Sequence, residues 1–161
     1  MLKSAPTLGR WLALAALVLI LDQASKAWVL ASFRLMESQV VTPFFNLVLV
    51  FNSGAAFSFL AGAGGWQKWF FVALALGISL WLLGLLRRHA AESLLPTALS
   101  LILGGAIGNV IDRLRFDAVV DFLDFHVAGY HWPAFNVADS AITVGVVLMV
   151  WHQFRCGKET R

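Results

Sequence analysis

The sequence has one cysteine, Cys156, and few charged residues, at 13% of its 161 positions. A single cysteine excludes an internal disulfide and a metal site built from several thiolates. Hydrophobic residues make up 60% of the chain and its mean hydropathy is +0.79, so lipid rather than water is predicted to surround most of it. The length suits one domain, residues 1–161, and is too short for two of ordinary size.

Several signatures of known chemistry are missing as well. No HExxH motif occurs, and the spacing of His126 and His131 matches no strong zinc signature. Gly104-Gly105 falls in the middle of an apolar segment, where it favours close helix packing rather than phosphate binding. The 12 basic residues do not form a patch interleaved with aromatic residues. We therefore predict no metal, no cofactor and no nucleic-acid partner.

Four apolar segments are long enough to cross a membrane, since about 20 apolar residues span the hydrocarbon core as a helix. They cover approximately residues 8–30, 66–86, 93–111 and 136–154. All four should be helical, because a strand with an open edge leaves backbone groups unpaired in lipid. The first could alternatively be a cleaved signal peptide, as Lys3 and Arg10 precede its apolar core, but Asp22 and Lys26 fit a cleavage region poorly.

The distribution of charge predicts how these spans are oriented. On one side of the membrane lie seven basic and two acidic residues, a net charge of +5, and on the other lie five basic and seven acidic residues, a net charge of −2. Since the more basic side usually faces the cytoplasm, both termini of this multi-pass protein are predicted to be cytoplasmic. The acidic residues then lie at the outer surface.

Two segments between the spans are predicted to lie at this outer surface. The segment Phe44–Phe59 is rich in β-branched and aromatic residues and contains the turn signal Asn52-Ser53-Gly54, which indicates a small extended element. The segment Asp112–Pro133 mixes aromatic and charged residues, as an interfacial cap would. The predicted fold class is thus an all-α membrane protein of four transmembrane helices, with a small extracytoplasmic β-like element and an interfacial cap.

Polar residues collect where these outer segments meet the spans. Five of the six aspartates lie between Asp112 and Asp139, although a carboxylate beside hydrocarbon is costly. Asn109, Asp112 and Arg113 share one helical face. Asn136 and Asp139 begin the fourth span, where helix capping is the alternative explanation for one of them.

Asp22 and Lys26 are spaced i, i+4 on the first span. One interpretation is a mutually neutralising pair, with Lys26 extending outward to the interface. The other is that both residues hold the shape of the polar site from its flank. The sequence leaves the two interpretations open.

Two aspartates that share one proton can hydrolyse a peptide bond, because one carboxylate activates water while the other, protonated carboxyl polarises the carbonyl. Ionising both at a separation of about 4 Å would cost about 4 kcal/mol at an effective dielectric near 20, so their pKa values separate. Position and chemistry point to Asp139 as one member of such a pair. Spacing alone leaves Asp117, Asp121 and Asp124 open as its partner, and it does not tell which member acts as the base.

A non-enzymatic four-helix membrane protein, such as a proton-coupled carrier or a subunit of a larger complex, is the competing class. A transport path would continue polar residues through the inner halves of the spans. Those halves are almost entirely apolar, which disfavours such a path.

The polar residues fall into five short motifs. In chain order these are Asp22-Gln23-x-x-Lys26, Asn52-x-Gly54-Ala55-Ala56-Phe57, Gly108-Asn109-x-x-Asp112-Arg113, Val120-Asp121-Phe122 and Phe135-Asn136-x-Ala138-Asp139. Each motif is weak alone. Together, in this order and over nearly the whole chain, they resemble lipoprotein signal peptidase, the signal peptidase II family.

The resemblance implies an aspartic endopeptidase of the bacterial cytoplasmic (inner) membrane that needs no metal or cofactor. Its substrates would be prolipoproteins, cut just before a cysteine that already carries diacylglycerol. The scissile bond would then be delivered at the extracytoplasmic face, where the aspartates are predicted to lie. We expect membrane lipid around the enzyme and a monomeric state.

Carried onto this sequence, the resemblance makes Asp121 and Asp139 the catalytic pair, and it alone selects Asp121 over Asp117 and Asp124. It implies a supporting or substrate-binding role for Asn52, Gly54, Asn109, Arg113 and Asn136. Asp22, Lys26 and Asp112 are expected to be structural.

Overall fold

The computed structural model describes residues 8–54 and 64–159, with side chains described up to residue 155. The elements in this part of the chain are α1 (Leu8–Ser32), β1 (Ser38–Thr42), β2 (Phe45–Asn52), α2 (Trp66–Arg88), α3 (Leu94–Phe116), β3 (Val119–Val127), β4 (Tyr130–His131) and α4 (Val137–Glu159). The four helices are each long and apolar enough to cross a membrane. This confirms the four predicted spans.

Helix α3 is the centre of the bundle and packs against α1, α2 and α4. The buried share of its membrane-spanning part is 67%, against 28% or less for each of the other three helices. Large apolar side chains on the outer helices stay exposed, among them Leu80 and Trp81 of α2. Such exposure costs little in a bilayer, because lipid tails are as apolar as the side chains themselves.

Close packing around α3 depends on glycines. A Cβ added to Gly105 would lie 2.5 Å from the carbonyl oxygen of Ala138 and 2.9 Å from Ile142 Cγ1, both on α4. Gly104 approaches α1 in the same way, and Gly145 of α4 approaches α3. Small residues at these positions let the helix backbones come together, as predicted for Gly104-Gly105.

A four-stranded antiparallel sheet in the order β1-β2-β3-β4 lies at one end of the bundle. Its central pair joins two segments far apart in sequence, with Val50 opposite Asp121 and Asn52 opposite Val119. Strands β3 and β4 form a hairpin whose turn residue Ala128 has a φ of 50°. The sheet packs on α1 through a buried apolar cluster of Val29, Phe33, Leu49, Val120 and Phe122.

The sheet is larger than the predicted β-like element. It begins at Ser38, before the predicted start, and residues 55–59 of that element lie outside the described residues. Most of the predicted cap, Asp112–Pro133, forms the last turn of α3 and strands β3 and β4. The first residues of β3 are buried on both faces, so they lack the alternating pattern by which a strand is recognised in sequence.

Helix α3 also continues past the predicted end at residue 111, to Phe116. The prediction ended the span where charged residues begin. Asp112 is only 1% exposed and pairs with a buried lysine, so the helix carries this charge inside the protein rather than ending before it.

Gly105→Ala is expected to destabilise the protein by about 1–3 kcal/mol, because the added methyl group overpacks the contact between α3 and α4. The matched control is Gly77→Ala on α2, where an added Cβ meets nothing within 4 Å. Thermal unfolding of the purified protein in detergent measures both. Gly105→Ala should lower Tm, whereas Gly77→Ala should leave Tm unchanged or raise it; equal Tm values for the two variants would contradict the packing argument.

Candidate active site

The polar site rests on a buried ion cluster formed by Asp22, Lys26 and Asp112. Lys26 Nζ lies 2.9 Å from Asp22 Oδ2 and 2.7 Å from Asp112 Oδ2. All three side chains are 2% exposed or less. The interpretation that Lys26 extends to the interface is therefore wrong. Two carboxylates and one ammonium group share this space, and a buried charge is stable only when it is paired in this way.

The ion cluster also binds the backbone of two other elements. Asp112 Oδ2 accepts a hydrogen bond of 3.1 Å from the Val120 N–H of β3, and Asp22 Oδ1 accepts one of 2.9 Å from the Ala138 N–H of α4. Gln23 Nε2 donates to Asp22 Oδ2 at 3.1 Å and to Asp112 Oδ1 at 3.0 Å. Sequence reasoning assigned no role to Gln23, although a polar amide inside an apolar span was a usable signal.

Asn109 connects the ion cluster to the first of the two predicted catalytic carboxylates. Its Oδ1 accepts a hydrogen bond from Lys26 Nζ at 3.0 Å, and its Nδ2 donates to Asp139 Oδ1 at 2.8 Å. An ammonium group can only donate, so Lys26 orients the amide with its oxygen inward and its N–H group toward Asp139. The side chain of Asn109 thereby separates the charge of Lys26 from the carboxylate of Asp139.

Asn136 contacts both predicted catalytic residues. At the start of α4, Asn136 Oδ1 accepts from the Asp139 N–H at 2.9 Å, and Asp139 Oδ2 accepts from the Asn136 N–H at 3.3 Å. This reciprocal arrangement is a capping box, so both residues take part in the cap, whereas the sequence offered capping as an explanation for one of them. Asn136 also donates from Nδ2 to Asp121 Oδ1 at 2.7 Å. Capping and carboxylate positioning thus use the same side chain.

Asp121 lies on β3 and is 3% exposed. Its Oδ2 accepts a hydrogen bond of 3.2 Å from Asn52 Nδ2 at the end of β2. Burial, followed by the negative charge of Asp139, raises the pKa of Asp121 to about 7, against the lowering effect of the hydrogen bonds from Asn52 and Asn136. Near neutral pH this carboxyl group can therefore hold or release a proton.

The other two aspartates considered as partners of Asp139 point elsewhere. Asp117 is the C-cap that follows α3, and its side chain is 79% exposed and pairs with Lys68. Asp124 follows Asp121 by three residues on β3, which turns its side chain to the opposite face of the strand. The structure therefore joins Asp121 to Asp139 through a shared asparagine and directs Asp117 and Asp124 to other partners.

Arg113 connects α3 to the end of β2. Its Nη2 donates to the carbonyl oxygen of Gly54 at 3.0 Å, and its Nη1 donates to the carbonyl oxygen of Asn109 at 3.4 Å. Asn52 Oδ1 accepts from the Gly54 N–H at 3.0 Å, which leaves the amide N–H group of Asn52 to face Asp121. The rest of this motif, residues 55–57, lies outside the described residues.

The arrangement is suited to acid–base chemistry. Asp121 and Asp139 accept hydrogen bonds from neutral amide donors; Asp121 is buried and Asp139 is half-buried. Burial beside a second carboxylate favours a proton on Asp121. Within the described side chains, no three His, Cys, Asp or Glu residues are placed to hold one metal ion.

Comparisons with known proteins agree in sequence and in structure. The family model described as Signal peptidase (SPase) II matches residues 14–155. The lipoprotein signal peptidase of an Azoarcus species is 62% identical over 148 residues, which are 92% of this chain and 84% of that protein. The lipoprotein signal peptidase of Ralstonia nicotianae is 56% identical over 147 residues, which are 91% of this chain and 85% of that protein.

Two solved structures share the fold. One, described as a bacterial membrane enzyme at 2.3 Å resolution, has a TM-score of 0.86 and 32% identity and covers 95% of this chain and 92% of that one. The other, a bacterial membrane enzyme at 1.9 Å resolution, has a TM-score of 0.78 and 34% identity and covers 90% of this chain and 92% of that one. Because the family model spans nearly all of the sequence, and both structures share its fold, the chain belongs to the signal peptidase II family of membrane peptidases.

Proposed function

We propose that this protein is an aspartic endopeptidase that removes signal peptides from bacterial prolipoproteins, with Asp121 and Asp139 as its catalytic pair. It would cut before the cysteine that carries diacylglycerol. The observation that carries the proposal is the bridging by Asn136, which donates to Asp121 and caps the helix turn that holds Asp139. Relatives named lipoprotein signal peptidase support the substrate class. No observation favours the competing carrier function.

The proposal also covers the oligomeric state of the enzyme, its membrane and its orientation in that membrane. Residues 1–161 form one peptidase domain that works as a monomer in the bacterial inner membrane. Both termini are cytoplasmic, and the sheet and the paired aspartates lie at the extracytoplasmic face. This orientation is supported by the net charges of +5 and −2 on the two sides.

The proposed reaction needs one proton on the pair. The ionised carboxylate takes a proton from water as the water oxygen bonds to the scissile carbonyl carbon, and the protonated carboxyl donates its proton to the carbonyl oxygen. When the tetrahedral intermediate breaks down, the C–N bond cleaves, the leaving nitrogen takes the proton of the protonated carboxyl, and the other carboxylate takes the proton from a hydroxyl of the intermediate, so the pair again holds one proton. The products are a signal peptide with a new carboxylate and a lipoprotein whose lipidated cysteine has a free amine.

The supporting residues donate hydrogen bonds to the two carboxylates or hold the backbone near them. Asn109 and Asn136 hold the carboxylates by hydrogen bonds, and Asn52 adds a donor from the sheet. Arg113 holds Gly54 at the end of β2, and this corner is proposed to contact the substrate. Asp22, Lys26 and Asp112 are structural in this proposal, since their side chains are buried away from any substrate.

Replacing either catalytic residue by its amide tests the pair. Asp121→Asn and Asp139→Asn should each lower kcat by about a thousand-fold, because an amide can neither accept nor deliver the proton. The assay is cleavage of a diacylglyceryl-modified prolipoprotein by purified protein. Asp117→Asn is the matched control, since Asp117 is exposed and pairs with Lys68, and it should keep wild-type activity. Normal turnover by either catalytic variant would rule out the dyad.

The pH dependence of the reaction tests the proton held by the pair. With its pKa raised to about 7, Asp121 is protonated below that pH and ionised above it. We expect kcat/KM to fall as the pH rises through about 7, approaching about tenfold per pH unit. The hydrogen bond from Asn52 lowers the pKa of Asp121, so Asn52→Ala should move this decline to higher pH. A profile that stays level well above neutral pH would contradict a shared proton.

A further inference from the structure

Asp124 is a buried carboxylate that the proposed reaction does not use. It is 7% exposed, and its Oδ2 accepts a hydrogen bond of 2.9 Å from Asn46 Nδ2 on β2. His131 Nδ1 lies 2.8 Å from Asp124 Oδ1 and 3.0 Å from Oδ2. Burial alone would raise the pKa of Asp124, but the hydrogen bonds from His131 and Asn46 lower it. We call these three residues the hairpin clamp.

The clamp closes a hairpin whose return strand is very short. Strand β4 has two residues, and its pairs with β3 are His126 with His131 and Val127 with Tyr130. The rings of His126 and His131 stack at a centroid distance of 4.8 Å. The side chain of His131 therefore adds two contacts, to Asp124 and to His126, beside a ladder of two residue pairs.

The return segment leads directly to the catalytic pair. Beyond β4, the Phe135 N–H donates to the carbonyl oxygen of Leu123 at 3.1 Å, and the Leu123 N–H donates back to the carbonyl oxygen of Phe135 at 2.8 Å. The next residue is Asn136, whose Nδ2 donates to Asp121 at 2.7 Å. The hairpin thus forms a loop that is closed at its base by Asp121 and Asn136 and at its middle by the clamp.

We propose that His131 is a positioning residue for the peptidase reaction. By holding Asp124, it fixes the return segment, and the return segment fixes Asn136 against both catalytic carboxylates. This inference rests on the proposed function. His131 itself contacts Asp124 and His126 rather than Asp121 or Asp139, so its effect on the reaction is transmitted through the hairpin.

The identity of the contacting atom gives a specific test. Because Nδ1 makes the contact with Asp124, asparagine, whose amide nitrogen occupies nearly the position of Nδ1, can replace it. The amide nitrogen of glutamine reaches instead to the position of Nε2. A displacement of about 1 Å at a catalytic group can cost about 100-fold in rate, so a loosened clamp should be measurable.

The experiment measures kcat and KM of the full-length enzyme on a diacylglyceryl-modified prolipoprotein. His131→Ala should lower kcat by about tenfold or more with KM nearly unchanged. His131→Asn should recover most of the lost kcat, and His131→Gln should recover little. Tyr130→Ala is the control, because Tyr130 is the neighbouring residue of β4 and is 85% exposed; it should leave both constants unchanged.

Three results would overturn the inference: wild-type kcat in His131→Ala, a change in KM alone, or equal recovery by asparagine and glutamine. If His131→Ala does not fold, as judged by its thermal unfolding, Asp124→Asn takes its place, and wild-type kcat in that variant overturns the inference as well. Failure of the proposed function is a separate result, since the wild-type enzyme would then not cleave the substrate.

Discussion

The burial of Lys26 between Asp22 and Asp112 is the interaction on which the rest of the site depends. It joins α1 to α3, and the same two carboxylates also accept hydrogen bonds from the N–H groups of Val120 and Ala138. The start of β3 and the start of α4 are thus both hydrogen-bonded to the same charged cluster. Removal of one partner from such a buried pair typically costs about 3–5 kcal/mol, because the other charge is left uncompensated.

Polarity changes in steps from this centre to the proposed catalytic pair. The full charges lie in the ion cluster. Lys26 orients the neutral amide of Asn109, and this amide donates a hydrogen bond to Asp139. Because no cation touches Asp121 among the described contacts, burial and the neighbouring carboxylate decide its pKa and raise it to about 7. A lysine in direct contact would favour the ionised form and remove the proton that an acid–base pair needs.

Strand β3 presents Asp121 and Asp124 on opposite faces by the alternation of its side chains. Asp121 contacts Asn136 on one face of the strand, whereas Asp124 contacts Asn46 and His131 on the other. Both contacts act on the same hairpin, so the strand that carries Asp121 is held from its opposite face as well.

The sequence by itself determined the four spans and the packing role of Gly104-Gly105, because hydropathy and residue size act over a few neighbouring residues. It offered helix capping as an explanation for one of Asn136 and Asp139. It did not distinguish Asp121 from Asp117 and Asp124 without the family resemblance, and it missed Gln23, strand β3 and the clamp at His131. The contacts of these residues appear only in the tertiary structure. The partners of Asp121 and Asp124 come from elements distant in the chain, through the pairing of β2 with β3 and the return of the hairpin to α4, and local spacing carries no information about such contacts.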